Sequence, residues 1–268
     1  MITIRPFDYS DADYKRAVAI NAAVFNDSLD MIGEWQHDDQ VRSKEYPFYR
    51  DMVLRDGFEI AYVETFQNQF AYHPQKYTCY IFVDPAHDAP DVRPVIWKYI
   101  LKKLAGEKLI GIMSGMLDDK AEAMRFFADF GFERVAEEKL SKLDVTRFNA
   151  LNHEAALAQV RASGIEIVSL RNLQEQDSDW QQKLYDLDVT VNRDIPSVGE
   201  KHYPDHADWV KMRLESPNFD PDAWFVALDT DKFVGQSQGS INRESQPVQF
   251  MTGVTTVRRE YRRRGIAT

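Results

Sequence analysis

The residues best suited to chemistry form a basic, glycine-containing segment late in the sequence. Five arginines lie between Arg258 and Arg264, and Gly265 follows them. A guanidinium is a permanent cation whose forked donors match the oxygens of a phosphate. The segment follows an apolar, β-branched run, residues 250–257, which predicts a buried strand. A strand that leads through a glycine turn into a helix would direct free backbone N–H groups at an anion, so the pattern predicts a phosphate-binding loop.

Within this segment the sequence resembles a known family. Arg262-x-x-Gly265-x-Ala267 is similar to the Gln/Arg-x-x-Gly-x-Gly/Ala loop of the GNAT family, the Gcn5-related N-acetyltransferases. In that family the loop binds the pyrophosphate of acetyl-CoA, and the preceding strand pairs with the pantetheine arm. The resemblance implies acetyl-CoA as co-substrate. The residues that it implies for binding acetyl-CoA are Thr255, Thr256, Val257, Arg262, Arg263, Arg264, Gly265, Ile266, Ala267 and Thr268.

A second resemblance lies in the first half of the chain. Residues 121–132 are similar to the GNAT segment Ala-x-x-Phe-Tyr-x-x-x-Gly-Phe. The periodicity predicts a helix that ends at Gly131, which suits a left-handed C′ position, and a strand over residues 132–135. The start of the chain, residues 1–24, also resembles the first strand and helix of a GNAT domain.

The order of predicted elements occurs twice, which indicates an internal repeat at domain scale. The alternation at Ile2 restarts at Ile165, an offset of 165 − 2 = 163 residues. The resemblance is therefore to tandem GNAT proteins. It implies an α/β (α+β) fold in which each domain has a mixed, mostly antiparallel sheet flanked by helices. We expect a first domain at 1–145, a connecting helix at 146–163, and an incomplete second domain at 164–268 that ends in the acetyl-CoA loop.

The first half has no intact copy of the loop. After the predicted strand that ends at Val83, the positions that match the arginine and glycine of the loop are Asp88 and Asp91. Two carboxylates would repel a pyrophosphate, and Pro90 and Pro94 each remove a backbone donor. We expect this first site to be degenerate, although a divergent loop with insertions is the alternative.

The catalytic residues cannot be assigned from this sequence. In the GNAT resemblance a tyrosine protonates the leaving thiolate, and its position would lie beyond Thr268, so the natural protein is expected to be longer. Glu244 and His206 are weak candidates for the general base. His202 and His206 have i, i+4 spacing, but Pro204 lies between them and no third ligand is evident, so no metal is expected.

Composition excludes several other classes of function. The 33 basic and 43 acidic residues leave a net charge of −10, which disfavours nucleic acid or an anionic membrane as a partner. No apolar run is long enough to cross a bilayer, and no signal peptide is evident. The single cysteine, Cys79, lies in an apolar run and is expected to be a core residue. A cytoplasmic protein is expected, and the sequence carries no signal for an oligomeric state.

The prediction is therefore an N-acetyltransferase that moves an acetyl group from acetyl-CoA directly to a small-molecule or peptide amine. The acceptor stays open among an aminoglycoside, a polyamine, a thiol-sugar amine and a protein N-terminus. One alternative is a non-catalytic GNAT-like protein that binds CoA or a partner. Another is an unrelated α/β protein whose basic turn binds a different phosphate ligand.

Overall fold

The computed structural model describes residues 1–25, 32–195, 201–243, 245 and 248–267. The chain forms two units, one that contains Met1–Ala136 and one that contains most of the chain from Glu137 onward. Each unit has its own sheet. The domain limits expected at 145 and 163 stay predictions. In the described part of the chain no helix has the length and apolar character needed to cross a membrane.

The first unit is built on a five-stranded sheet in the order β1-β2-β3-β4-β5. All neighbouring strands are antiparallel except β4 and β5, which are parallel and pair only over the first residues of β4. In chain order the elements are β1 (Ile2–Pro6), α1 (Asp11–Phe25), α2 (Ile32–Val41), β2 (Phe48–Arg55), β3 (Phe58–Phe66), β4 (Lys76–Val83), α3 (Val92–Lys103), β5 (Gly111–Met113) and α4 (Ala121–Asp129).

Strand β4 illustrates why helices cover both faces of this sheet. Tyr77, Cys79 and Ile81 alternate along β4 and pack in one core with α3 and α4, whereas Phe82 points to the other face and packs with α1. Alternation places successive side chains on opposite faces, and both faces here are apolar, so both must be buried. Cys79 is 1% exposed, which confirms its expected place in the core.

The second unit is built on a four-stranded antiparallel sheet in the order β6-β7-β8-β9. Its core includes Val160, Ile165, Ala227 and Val234, which join α5 to the sheet. The elements are α5 (Glu154–Ala162), β6 (Ile165–Ser169), α6 (Leu170–Gln176), α7 (Trp180–Asn192), α8 (His206–Arg213), β7 (Phe225–Asp229), β8 (Lys232–Asn242) and β9 (Gln249–Val257).

Three local expectations were wrong. Residues 132–135 are not a strand, since they pair with no described strand. The helix expected over 146–163 begins only at Glu154, as α5, after two short 3-10 turns, and its connecting role stays a prediction. Strand β9 forms as predicted but is not buried, because it lies at the edge of the described sheet. Phe250 is 54% exposed and only Val257 is buried.

Candidate functional site

Strand β9 brings the predicted cofactor-binding residues to an open sheet edge. Its partner is β8, with Val257 opposite Gly235 and Thr256 opposite Gln236. Among the described strands, none pairs with its other side. An unpaired strand edge offers a row of N–H and C=O groups that an extended ligand can bind. The register also shifts between Ser237 and Gly239, and such a bulge bends the pair of strands beside the predicted site.

The three residues at the end of β9 have different environments. The hydroxyl oxygens of Thr255 and Ser237 lie 2.9 Å apart and share a hydrogen bond. Thr256 Oγ1 is buried and has no hydrogen-bond partner among the described residues. Val257 is 8% exposed and closes the core at this point. Thr256 therefore retains an unused polar group next to the open edge.

After β9 the chain forms a 3-10 turn, Arg259–Tyr261, and then a tight loop over residues 262–267. Arg263 has a φ of +62° and Gly265 a φ of +80°. Gly265 adopts this left-handed conformation without the steric cost that a Cβ atom brings. The backbone N–H groups of residues 263–267 donate no hydrogen bond to another described residue. No helix begins within residues 262–267.

The arginines divide into two groups. Arg258 donates from Nε to the carbonyl of Phe233 at 2.8 Å. Arg259 and Arg262 both bind the carboxylate of Asp194, and Arg262 Nε also donates to the carbonyl of Val257 at 3.0 Å. These three guanidinium groups are therefore engaged within the protein and shape the loop.

The remaining two arginines, Arg263 and Arg264, are exposed. Arg263 makes no hydrogen bond or ion pair to another described residue. Arg264 lies over the ring of Tyr261, 4.7 Å from its centroid, and its Nη2 makes a 3.3 Å hydrogen bond to the carbonyl of Glu260. These two cations are therefore the ones available to an anionic ligand.

Asp194 is the acidic partner that shapes the loop, and no pattern in the sequence indicated it. Its carboxylate is 15% exposed and accepts hydrogen bonds from Arg259 at 2.8 and 2.9 Å. The hydrogen bonds from Arg259, helped by those from Arg262, lower the pKa of Asp194, although desolvation opposes the shift. The two arginines lie 65 and 68 residues further along the chain, so no local pattern could have indicated the pairing.

Tyr261 and Ile266 anchor the loop to the sheet. The hydroxyl of Tyr261 donates to the carboxylate of Asp229 at 2.8 Å, and the side chains of both Tyr261 and Ile266 pack against the core of the second unit. Gly235 suits the close approach of β8 to the end of β9, because a Cβ atom there would lie 3.0 Å from the carbonyl oxygen of Thr256 and 3.3 Å from Val257. The contacts of Tyr261 and Ile266 therefore hold the loop against the sheet.

A buried carboxylate, also missed by the sequence analysis, lies beneath strand β8. Asp188 on α7 is fully buried. It accepts hydrogen bonds from Trp209 Nε1 at 2.8 Å, Gln236 Nε2 at 2.5 Å and Gln238 Nε2 at 3.1 Å. Gln236 lies opposite Thr256 in the sheet. This network therefore fixes β8 at the point where β9 carries the predicted site.

Of the two candidates for the general base, only His206 lies within the described residues. His206 begins α8 and packs against Tyr185 and Trp209, and its Nε2 atom is buried without a hydrogen-bond partner among the described residues. Glu244 and Thr268 lie outside the described residues. In the described part of the chain no group of three or more His, Cys, Asp or Glu side chains is arranged to hold a metal ion.

In the first unit, both acids of the degenerate loop are paired with arginines. Arg93 donates to Asp88 at 2.8 Å and to the carbonyl of Ile81 at 3.1 Å. Arg55 donates to Asp91 at 2.7 Å. Arg93 is therefore already paired with the carboxylate of Asp88, although a bound phosphate would need this arginine as its partner. That this loop does not bind acetyl-CoA stays a prediction.

The similarity of this chain to known proteins lies in its structure. No family model matches the chain, and no curated protein matches it. A tandem GNAT protein from the clavulanic acid biosynthesis pathway, solved without acetyl-CoA, is 10% identical with a TM-score of 0.62, and the match covers 100% of this chain and 82% of that one. A GCN5-related N-acetyltransferase from Sphaerobacter thermophilus is 16% identical with a TM-score of 0.58, covering 99% and 79%.

A third solved structure is similar over the same length. It is the GCN5-related glucosamine N-acetyltransferase region of a fungal multi-domain GH3 beta-N-acetylglucosaminidase, 13% identical with a TM-score of 0.61. The match covers 100% of this chain, which spans 33% of the fungal one. Likeness at such low identity concerns the fold. The chain therefore has the GNAT fold in a tandem arrangement of two GNAT-like domains, as the loop at Arg262 and the internal repeat predicted.

Proposed function

We propose that this protein is an N-acetyltransferase whose second unit binds acetyl-CoA and which transfers the acetyl group directly to an amine. The observation that carries the proposal is the loop over residues 263–267, where backbone N–H groups without internal partners lie beside two exposed arginines. Successive free N–H groups form a concave donor site for an anion such as a pyrophosphate. The GNAT fold supports the same proposal.

Each part of the site has a role in this reaction. The loop N–H groups, with Arg263 and Arg264, would hold the pyrophosphate. The open edge of β9 would pair with the amide groups of the pantetheine arm, as an added strand does. This would place the thioester near Thr256, where an N–H or hydroxyl donor could stabilise the oxygen as the amine attacks. The amine nitrogen forms the new C–N bond and gives up a proton, the C–S bond breaks, and the leaving CoA thiolate takes up a proton to become the thiol.

Direct transfer fits the chain better than a thiol intermediate. The single cysteine, Cys79, is buried in the first unit, and burial raises its pKa to about 12. A thiol that stays protonated and buried does not attack a thioester. Residues 262–267 contain no histidine, aspartate or glutamate, so this loop supplies no side chain suited to act as the general base.

The first experiment is a calorimetric titration of the protein with acetyl-CoA. We expect one site per chain, and we expect the double variant Arg263→Ala, Arg264→Ala to bind about 10-fold or more weakly, because charge-assisted hydrogen bonds are lost. Arg161→Ala is the control, since it removes an exposed cation from α5 without touching the loop. Equal weakening by Arg161→Ala would mean that the effect is only one of net charge. Two sites per chain would show that the first-unit loop also binds.

The second experiment separates an enzyme from a non-catalytic CoA-binding protein. Release of free CoA thiol is followed in the presence of acetyl-CoA and a panel that contains an aminoglycoside, a polyamine, an amino sugar and a peptide with a free N-terminus. Amine-dependent thiol release that the double variant slows supports the proposal. Tight acetyl-CoA binding without amine-dependent release across the panel would favour the non-catalytic alternative.

A further inference from the structure

The first unit contains a cavity that the proposed function does not use. It has a volume of about 710 Å³ and is lined by residues of α2, of the segment between α2 and β2, of the start of β2, and of the chain just before and within α1. We name it the β2 cavity, and it is defined here by Tyr14, Asp39, Arg42, Lys44 and Phe48. A volume of this size is ample for a small organic ligand.

The β2 cavity is distinct from the degenerate loop of the same unit. Phe48, in its wall, lies opposite Phe66 at the end of β3, and Phe66 in turn lies opposite Thr78 near the start of β4. The degenerate loop follows Val83, at the other end of β4. The cavity and the loop therefore lie at opposite ends of the sheet, and a ligand in the cavity would not occupy the site of acetyl-CoA.

The wall of the β2 cavity is aromatic. Tyr9, Tyr14, Tyr46, Phe48 and Tyr49 all line it. Tyr9 has a φ of +61°, an uncommon conformation for a residue other than glycine, and its ring packs edge-on against Tyr14. Rings in this number favour a ligand with a flat apolar group, because they provide contact area and edge-to-face packing.

Two charged side chains, Asp39 on α2 and Arg42 just after its end, provide the polar part of the site. Asp39 has a side chain only 8% exposed, and its Oδ2 atom accepts hydrogen bonds from Tyr14 at 2.8 Å and Arg50 at 2.7 Å. Its Oδ1 atom accepts no hydrogen bond among the described residues and lies 3.6 Å from Arg42 Nη2. Arg42 Nε likewise donates to no described partner. Asp39 Oδ1 and Arg42 Nε are therefore an acceptor and a donor that form no hydrogen bond with the described residues.

The spacing of these two residues keeps them on one side, because the N–H of Arg42 donates to the carbonyl of Asp38 and continues the helical path one residue beyond α2. Residues at i and i+3 are neighbours on a helix surface, so a single ligand can reach both Asp39 and Arg42. The guanidinium of Arg42 lies 3.8 Å from the centroid of Phe48, and its side chain is 27% exposed, which leaves it room to turn toward a ligand. Lys44 adds a second cation at the rim.

The charges select the class of ligand. The lining residues carry one negative charge, on Asp39, and two positive charges, on Arg42 and Lys44, so their sum is 2 − 1 = +1. A simple amine would be repelled by the two cations, and a simple carboxylate would leave Asp39 Oδ1 without a donor. A zwitterion offers a carboxylate to the cations and an ammonium to the aspartate. We propose that the β2 cavity binds an aromatic α-amino acid in its zwitterionic form.

The experiment titrates the full protein with L-phenylalanine, L-tyrosine and L-tryptophan, followed by saturation-transfer NMR and calorimetry. Phenethylamine and hydrocinnamate, which each lack one of the two charges, are the matched analogues. We expect at least one amino acid to bind and both of its single-charge analogues to bind about 10-fold or more weakly. Absence of binding by all three amino acids, or equal binding of a single-charge analogue, would overturn the proposal.

Variants connect the binding to this cavity. Gln40 lines the cavity and is exposed, so Gln40→Trp should fill it without disturbing the core, and Arg42→Met should remove the carboxylate partner. Both are expected to abolish binding, whereas Arg125→Met, an exposed arginine on α4, is the control that should keep it. Circular dichroism establishes that each variant is folded. Unchanged binding to Gln40→Trp would place the ligand elsewhere and overturn the proposal, while acetyl-CoA binding is measured separately and is expected to be unaffected.

Discussion

Asp194 and Arg262, 68 residues apart in the sequence, form an ion pair that joins the basic loop to the segment after helix α7. Arg259 binds the same carboxylate, so one acidic side chain holds two of the five arginines. The pairing removes two cations from those available to a ligand. The same ion pair holds the backbone at the end of the 3-10 turn, and so it orients the next residues, Arg263 and Arg264.

The first prediction concerns the pH dependence of this ion pair. The hydrogen bonds from Arg259 and Arg262 lower the pKa of Asp194 in the folded protein. A carboxylate whose folded pKa is lowered stabilises the fold at pH values above its ordinary pKa, and this contribution is lost as the pH falls through the lowered value. We expect wild type and Asp194→Asn to differ in free energy of unfolding at neutral pH and to converge below about pH 4.

Denaturant titrations at several pH values measure this difference. Asp186→Asn is the matched control, because Asp186 is an exposed acid on α7 that accepts a hydrogen bond from Gln182 and not from an arginine. A constant difference between wild type and Asp194→Asn down to acidic pH would contradict the role given to the charge of Asp194.

The second prediction concerns the bulge in β8. A Cβ atom added at Gly239 would lie 2.4 Å from the carbonyl oxygen of Ala223 and 2.4 Å from the ring of Phe250. Because the carbonyl belongs to the backbone, Gly239→Ala should destabilise the second unit by about 1–3 kcal/mol. Gly106→Ala is the control, since no atom lies within 4 Å of a Cβ atom there. Thermal unfolding of the two variants compares them, and equal stability would refute the predicted crowding.

The third prediction concerns the buried carboxylate of Asp188. Asp188→Ala would leave the donors of Trp209, Gln236 and Gln238 without their acceptor in a buried place. Each unsatisfied buried group costs about 1–3 kcal/mol, so a loss of about 3 kcal/mol or more in the free energy of unfolding is expected. Chemical denaturation measures it, with Asp186→Ala on the exposed face of α7 as the control. A loss as small as that of the control would show that the network contributes little.

The fourth prediction concerns the thiol of Cys79. Burial raises its pKa to about 12, and the side chain is 1% exposed, so neither thiolate nor access is available near neutral pH. We expect no reaction with a thiol reagent in the folded protein and one reactive thiol per chain in denaturant. Rapid labelling of the folded protein, or loss of acetyl transfer on Cys79→Ser without loss of fold, would contradict the direct-transfer mechanism.

The local pattern of the sequence determined much of the fold. Alternation and helical spacing identified most strands and helices, Gly131 adopts the left-handed φ of +73° expected of a helix stop, and the repeat from Ile2 to Ile165 indicated two similar domains. Residues a few positions apart are enough to determine these features, because the backbone conformation and the pattern of buried side chains depend on near neighbours in the chain. The strand before the basic loop was predicted on the same basis.

Only the tertiary structure decided which of these residues are available to a ligand. Periodicity predicted that residues 250–257 form a strand but could not tell that it lies at the edge of the described sheet with Phe250 exposed. Five arginines looked equivalent in the sequence, yet Asp194 engages two of them and leaves Arg263 and Arg264 exposed. Such pairings join residues that are distant in the chain, so their energies depend on how whole elements pack, which a local pattern does not contain.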